Sequence, residues 1–367
     1  MYISSVTLKG FRNYTQAYLE PCKGVSVLMG DNAQGKTNIL EAVFLCCTGR
    51  SHRTSHDREL IRIGQDVAYV GVQAEHGDGR HDVEIALNQT GRRRIKINGS
   101  PVSRSGELLG HVTGVLFAPE DLRMVTDGPA VRRRFMDMEL SQIHPKYYYA
   151  LQRYNRALKQ RNALLKDCSQ SGKSPDSIEL WDAELALSGS EIMQERQSFL
   201  LKLCDSAAQI HASITDNKEI LNVRYAPDIA AGATMEETQR ELLKALVESR
   251  EVDIRRATTS KGPHHDDMGI FIDELDARLY GSQGQIRTCA LSLKLSEIEL
   301  LERETGESPI LMLDDVMSEL DPTRRRQLIR RLEGVQTLVT CTDYNDLAGA
   351  EIGKIYTVKN AVLTEEP

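Results

Sequence analysis

GDNAQGKT, from Gly30 to Thr37, decides how the rest of this chain is read. Gly30 and Gly35, followed by Lys36 and Thr37, fit G-x-x-x-x-G-K-[ST], a loop whose backbone N–H groups turn toward phosphate oxygens. In such a loop the lysine reaches the β- and γ-phosphates of a nucleoside triphosphate, and the Ser/Thr hydroxyl ligates Mg2+. The flanks supply the context this chemistry needs. Val25 to Met29 is a short apolar, β-prone run. Ile39, Leu40, Val43, Phe44 and Cys47 recur at helical spacing and stop at Gly49. Strand, glycine loop and helix follow in the required order. ATP and Mg2+ are therefore the expected ligands. Gly30, Asp31, Asn32, Ala33, Gln34, Gly35, Lys36, Thr37 and Asn38 form the expected nucleotide contact, with Lys36 catalytic and Thr37 on the metal.

A second stretch, LMLDDVMSELD from Leu311 to Asp321, completes the expectation. Ile310 to Leu313 is a fully apolar strand candidate, with Asp314 and Asp315 at its C-terminal end, where parallel α/β sheets bind ligands. Asp314 is expected to hold Mg2+, directly or through water, and Asp315 to polarise the attacking water. Two solvated aspartates opening a turn would give the same pattern; the phosphate loop is what favours the site.

The chain has 367 residues, enough for two or three domains, and 40% hydrophobic residues to build their cores. No run of 18 or more apolar residues occurs, and MYISSVTLKGFRNY lacks the basic flank and apolar core of a signal peptide. The seven cysteines show no C-x-x-C pair. That scatter fits reduced thiols and a cytoplasmic location. His264-His265-Asp266-Asp267 is the one cluster of metal-ligand types.

A net charge of −7 argues against a nucleic-acid partner, but its distribution argues for one. Residues 89–161 hold 14 Lys and Arg against six Asp and Glu. Arg92, Arg93, Arg94 and Lys96 form one knot, and Arg132, Arg133 and Arg134 another. Arg153, Arg156, Lys159 and Arg161 line a predicted helix. Such faces attract phosphate backbones without reading sequence. Solvated charges or internal salt bridges are the alternative.

Organisation changes twice along the chain. Residues 1–122 read as strands around one helix. Ile3, Val6 and Leu8 open an edge strand; strands at 66–75, 81–89 and 92–98 follow, the last closed by an Asn98-Gly99 hairpin turn. Residues 123–260 turn helical. Leu151, Tyr154, Leu158 and Leu165 lie near heptad positions, and Leu200, Leu203, Ala207, Ile210 and Ile214 repeat the 3–4 spacing. A polar loop, Ser169 to Ser177, separates two helices of a compact arm or ordinary helical subdomain. Residues 261–367 return to α/β character. They carry a strand at 268–272, a tight loop, a helix at 288–304 with Leu291, Leu295, Ile298 and Leu301 on its apolar face, and strands at 337–340 and 354–358. Lys36 and Asp314 lie 278 positions apart, so the simplest account is an α/β nucleotide-binding head interrupted by the helical segment.

These motifs resemble the ABC-type heads of SMC-like ATPases. Along its whole length the chain is similar to the RecF family of bacterial recombination mediators. LKGFRNY (Leu8–Tyr14), GDNAQGKTNILEA, TGRSHRT (Thr48–Thr54) and FAPEDL (Phe117–Leu122) carry the likeness, with RRRFMD (Arg132–Asp137), KGPHHDD (Lys261–Asp267) and YGSQGQIRTCALSLKLSE. The resemblance implies an ABC-type P-loop ATPase head with mixed sheets, interrupted by an α-helical arm. It implies that Ser282, Gln283, Gly284 and Gln285 touch the γ-phosphate of ATP held by a second copy, and that Asp321 lies on the loop crossing that interface. Arg12 and Asn13 match residues near the phosphates and sugar. Asp315 stands where many relatives carry a catalytic glutamate, which implies slow hydrolysis. Implied partners are duplex DNA, junctions of single and double strands, a second copy of the chain and RecR, with RecO and RecA acting indirectly. Two departures stand out. Thr342-Asp343 replaces the γ-phosphate-sensing histidine of transporter ATPases, and FAPEDL, with Glu120 or Asp121, replaces their glutamine loop. The rivals are a transporter ATPase subunit, which would need that histidine and a membrane partner, and a DNA clamp that binds ATP without turning it over.

Overall fold

The computed structural model describes residues 1–171 and 177–366. In chain order, the strands β1 (Tyr2–Phe11), β2 (Tyr14–Leu19) and β3 (Val25–Met29) precede helix α1 (Lys36–Thr48). Then come β4 (Val67–His76), β5 (Gly79–Asn88), β6 (Arg93–Ile97), β7 (Ser100–Pro101) and β8 (Gly114–Phe117). The middle of the chain holds α2 (Arg123–Thr126), α3 (Pro129–Ile143), α4 (Pro145–Ser171), α5 (Ile178–Ile214), β9 (Leu221–Ala226), α6 (Met235–Glu248) and α7 (Arg250–Arg256). The last third comprises β10 (Asp267–Ile272), β11 (Leu275–Asp276), α8 (Ala277–Tyr280), α9 (Gln283–Thr305), β12 (Ile310–Leu313), α10 (Pro322–Arg330), β13 (Thr337–Cys341), β14 (Ile352–Lys359) and β15 (Val362–Glu365).

These elements form two compact units, one of residues 1–122, 209–218 and 287–367, the other of residues 123–208 and 219–286. The first break falls at 122/123; of the segment expected at 261–367, residues 261–286 lie in the second unit.

The first unit holds two six-stranded sheets, ordered β2-β1-β4-β5-β6-β7 and β15-β14-β3-β13-β12-β8. In the latter, β14, β3, β13, β12 and β8 run parallel. Their sequences, VSVLM, ILML and TLVTC, are the near-continuous apolar runs that a parallel sheet covered on both faces demands. Helix α1 touches β4 and β5 of one sheet and β8 and β13 of the other, so it is buried nearly all round. Gly49 ends it in the left-handed region, at φ 69°. The Gln336 side chain, just before β13, ties the two sheets, accepting from Ile3 N at 2.6 Å and donating to Ile3 O at 2.8 Å. The strand expected at an edge, β1, is instead paired on both sides, by β2 and β4. The Asn98-Gly99 turn has positive φ at both residues, as a type I′ hairpin requires.

Among the described residues, the regular elements of the second unit are helices apart from the three-stranded sheet β11-β10-β9. The strand β9 is absent from the helical reading of 123–260; LNVRYA alternates and pairs with β10 from Leu221–Ile272 to Ala226–Asp267. Residues 169–171 of the polar loop finish α4, and its residues 172–176 lie outside the described residues. Buried charge stitches the helices together. Arg161, 0% exposed, donates to Asp182 and Asp253, both at 2.7 Å. Arg196 reaches Asp137, Asp266, Tyr147 and the Pro263 carbonyl. Such pairs are tolerated in a core because every partner is hydrogen-bonded.

Candidate nucleotide site

The phosphate loop joins β3 to α1. Gly30 (φ 158°) and Gly35 (φ 118°) occupy backbone regions that favour glycine. A Cβ at Gly30 would collide with the Val358 carbonyl oxygen, and one at Gly35 would lie 2.7 Å from Asn13 Nδ2. The first turn of α1 carries no acidic residue and Gly35 gives no side-chain cap, so its N–H groups are not claimed by a side-chain cap. Asp31, Asn32 and Ala33 are exposed at the loop's crest. Its rear is braced. Asn360 N donates to Gln34 Oε1 at 2.6 Å and Ala361 N to Gln34 O at 3.1 Å, from the β14–β15 turn. Asn13 Nδ2 donates to Gln34 O at 3.1 Å and Asn38 Nδ2 to Asn13 Oδ1 at 2.8 Å.

Because β13 lies between β3 and β12, the ends of all three parallel strands meet at one point. There Thr37 Oγ1 donates to Asp314 Oδ1 at 2.8 Å. Lys36, 3% exposed, donates through Nζ to Gly30 O at 2.6 Å and lies 3.8 Å from Asp315 Oδ1. Asp314 N donates to Phe117 O at 2.9 Å, which fixes the acid to the last residue of β8, the first of FAPEDL. Burial lifts the Asp314 carboxyl above the usual carboxylate range; Asp315 and Glu120 add to this, while hydrogen bonds from Thr37 and Thr340 oppose it. A buried carboxylate facing a hydroxyl is the hard-oxygen donor set that Mg2+ prefers. Asp315 is 38% exposed and sits at φ 50°, unusual for a residue with a Cβ.

The other expected residues have their own surroundings. Arg12 forms a two-pronged pair with Glu41 (2.8 and 2.6 Å) on the first turns of α1. Burial works to raise the Glu41 acid, but Arg12 and Ser51 outweigh it and hold the group below its ordinary value. Ser282 and Gln285 cap each other, Gln285 Oε1 accepting from Ser282 N at 2.9 Å and Ser282 Oγ from Gln285 N at 3.2 Å, a capping box that opens α9. Ser282 and Gln283 are exposed, and Gly284 lies in the first turn. Asp321 caps α10, accepting from Thr323 N at 2.9 Å and Arg324 N at 3.1 Å. Asp121 caps its own turn through Ala118 N at 2.7 Å, leaving Glu120 as the exposed acid of FAPEDL.

The basic surface expected from the sequence needs correction. Arg132 is no surface for DNA: it is buried, pairs with both Asp267 oxygens at 2.7 and 2.8 Å and also donates to Met124 and Asp127 carbonyls. Arg93 is spent on Asp57, Arg133 on the Asp266 carbonyl and Arg161 on its buried acids, whereas Arg92, Arg94, Lys96 and Arg134 are exposed. The 264–267 cluster does not gather round a metal. His264 is held by Tyr154 and the Thr259 carbonyl, Asp266 by Arg196 and Tyr225, and Asp267 by Arg132. Sequence reasoning overlooked Thr340, Glu41 and the 360–361 turn. A lone acid inside the apolar face of α1, and a hydroxyl at the end of an apolar strand, were the available signals.

Comparisons with known proteins agree with this geometry. The family model described as RecF/RecN/SMC N terminal domain matches residues 2–364. A protein of Acetivibrio thermocellus named DNA replication and repair protein RecF is 43% identical over 345 residues, covering 94% of each chain. The solved structure titled recombination mediator protein RecF-ATP in the RecFOR pathway superposes with a TM-score of 0.94 at 36% identity, covering 100% of this chain and 98% of the other. An Smc head domain from Pyrococcus furiosus shares the fold at a TM-score of 0.57 and 16% identity, over 100% and 96% of the two chains. The parallel sheet with its phosphate loop is thus the ABC-type ATPase head, and the chain belongs to the RecF family, within the RecF/RecN/SMC N-terminal domain class.

Proposed function

We propose that this chain is an ATP-driven switch that holds DNA at sites of replication and repair. The observation that carries the reading is the meeting of Thr37 and Asp314 beside Lys36, at the C-terminal ends of parallel strands. Phosphates sit on the loop N–H groups of Gly30 to Thr37, and Lys36 exchanges its own loop carbonyls for β- and γ-phosphate oxygens. Mg2+, held by the Thr37 hydroxyl and Asp314, would supply charge neutralisation on those phosphates. Asp315 orients the attacking water. As an aspartate it reaches less far than a glutamate, which favours slow turnover.

In this reading two copies close on each other, each offering the α9 N-terminus at Ser282 to Gln285 to the γ-phosphate held by the other, where the helix dipole favours an anion. Asp321 lies along that interface, and Asn13 with Arg12 borders the nucleotide. Closure presents duplex DNA, beside a single-strand gap, with exposed positive charge such as Arg92, Arg94 and Lys96. The relatives' place in the RecFOR pathway supports RecR and RecO as partners, with RecA loading downstream and a cytoplasmic site of action; all seven cysteines are free thiols. Hydrolysis reopens the pair and releases DNA.

Phosphate release measured with and without duplex DNA, across salt concentrations, tests this. Slow release, raised by DNA and less so at high salt, is expected. ATP binding without any phosphate release would replace the switch with a passive clamp.

A further inference from the structure

We propose that Thr340 is a positioning residue for both aspartates of the site, the sheet-borne counterpart of Thr37; this rests on the ATPase reading above. Thr340 lies near the end of β13, whose neighbours are β3, bearing the phosphate loop, and β12, bearing the acids. Register sets Val339 opposite Leu313 and Cys341 opposite Met29, so Thr340 lies between loop and acids. It is 0% exposed.

A hydroxyl has one hydrogen to give and two lone pairs. Thr340 Oγ1 accepts from Asp315 N at 2.8 Å. Its own hydrogen has Asp314 Oδ1 at 3.0 Å and Asp315 Oδ1 at 3.3 Å within reach, both nearer than the Leu313 carbonyl at 3.5 Å. Capture of the Asp315 amide supports that residue's left-handed backbone (φ 50°) and so aims its carboxylate toward Lys36. The second bond lands on the same Asp314 oxygen that Thr37 uses. Thr37 is the donor that turns away when its hydroxyl serves the nucleotide side, whereas Thr340 comes from the sheet and stays. Asp314 therefore keeps its orientation when it loses its apparent partner.

Packing alone does not ask for a hydroxyl here. The strand reads TLVTC with all five residues buried, and valine has the same shape and a higher preference for such a strand. A buried hydroxyl is costly unless its bonds are made, and here they are made to the two groups that do the chemistry.

The test compares Thr340→Val and Thr340→Ser with the unaltered chain by binding of a fluorescent ATP analogue, by thermal melting and by single-turnover phosphate release. Thr340→Val should bind the analogue within about twofold yet release phosphate about tenfold more slowly, the loss that follows from one hydrogen bond to a charged group. Thr340→Ser should recover release to within about twofold, since it restores the same bonds. Unchanged release in Thr340→Val overturns the inference. So does equal loss in both variants, or a fall in binding that matches the fall in turnover. An unaltered chain that releases no phosphate sinks the ATPase reading, and this inference with it, before any variant is compared.

Discussion

Thr37 Oγ1 lies 2.8 Å from Asp314 Oδ1, although 277 positions separate them in the chain. Two metal-ligating types at that distance, one of them a buried acid whose proton affinity is raised mainly by burial, identify Asp314 as a group that stability alone would not select. Asp314→Asn should therefore leave the ligand-free chain as stable as before or slightly more so. The extra stability conferred by ATP with Mg2+, about 2.7 kcal/mol at a hundredfold excess over Kd, should be largely lost. Melting curves with and without nucleotide, in Mg2+ and in chelator, decide it; a full nucleotide-dependent shift in Asp314→Asn removes the acid from the site.

Lys36→Arg keeps the charge but widens a head group packed against Gly30 O and Asp31 O. ATP-dependent dimerisation and DNA binding should weaken together. Light scattering alongside fluorescence anisotropy on a duplex measures both, and intact dimers that no longer bind DNA would separate two steps taken here as one.

Ser282→Arg loses a cap and places a long cation on an exposed turn. ATP should still bind and dimers should fail to form. Normal dimers by light scattering would contradict the cross-subunit role of this loop.

His264 carries a pH dependence. Burial, joined by His265 and Arg133, pushes its pKa from 6.5 down to about 4, against the pull of the Thr259 carbonyl and Asp228. The unfolded chain binds the proton more readily than the folded one, so stability falls as pH drops below 6.5 and the loss levels off near 4. The full effect is about 3 kcal/mol. Urea titrations from pH 7 to 4 on the unaltered chain and on His264→Gln should show the slope flatten in the variant.

The two basic knots should part company. Arg94→Glu with Lys96→Glu changes exposed positions, so DNA affinity should drop with little change in melting. Arg132→Ala strands Asp267 and two carbonyls, and should cost about 3 kcal/mol of stability. Loss of DNA binding in the folded Arg132→Ala chain alone would reverse the assignment.

The parallel sheet was legible because its strands are short apolar runs ending in chemistry: VSVLM before the loop, ILML before the acids. The strand β9 was not, since LNVRYA sits within a long helical stretch and takes its identity from β10, some forty residues on. Part of the basic stretch misled for a related reason. Sequence shows that Arg132 and Arg161 are charged but not that Asp267, Asp182 and Asp253 are folded against them. Thr340 was hidden because a threonine in a strand reads as ordinary β-propensity; only the neighbouring strand ends give its hydroxyl a task.

The strand order also fixes when this head can come into being. As the chain leaves the ribosome, β3 and the glycine loop emerge long before their neighbours, for both strands that flank β3 lie beyond residue 336. Until β13 and β14 arrive, β3 has neither sheet partner, and Lys36 and Thr37 have no acids to face. Contacts of such long range close slowly and late. A chain cut short before β13 thus carries the nucleotide motif in its sequence without either of the sheet partners that flank β3 in the fold.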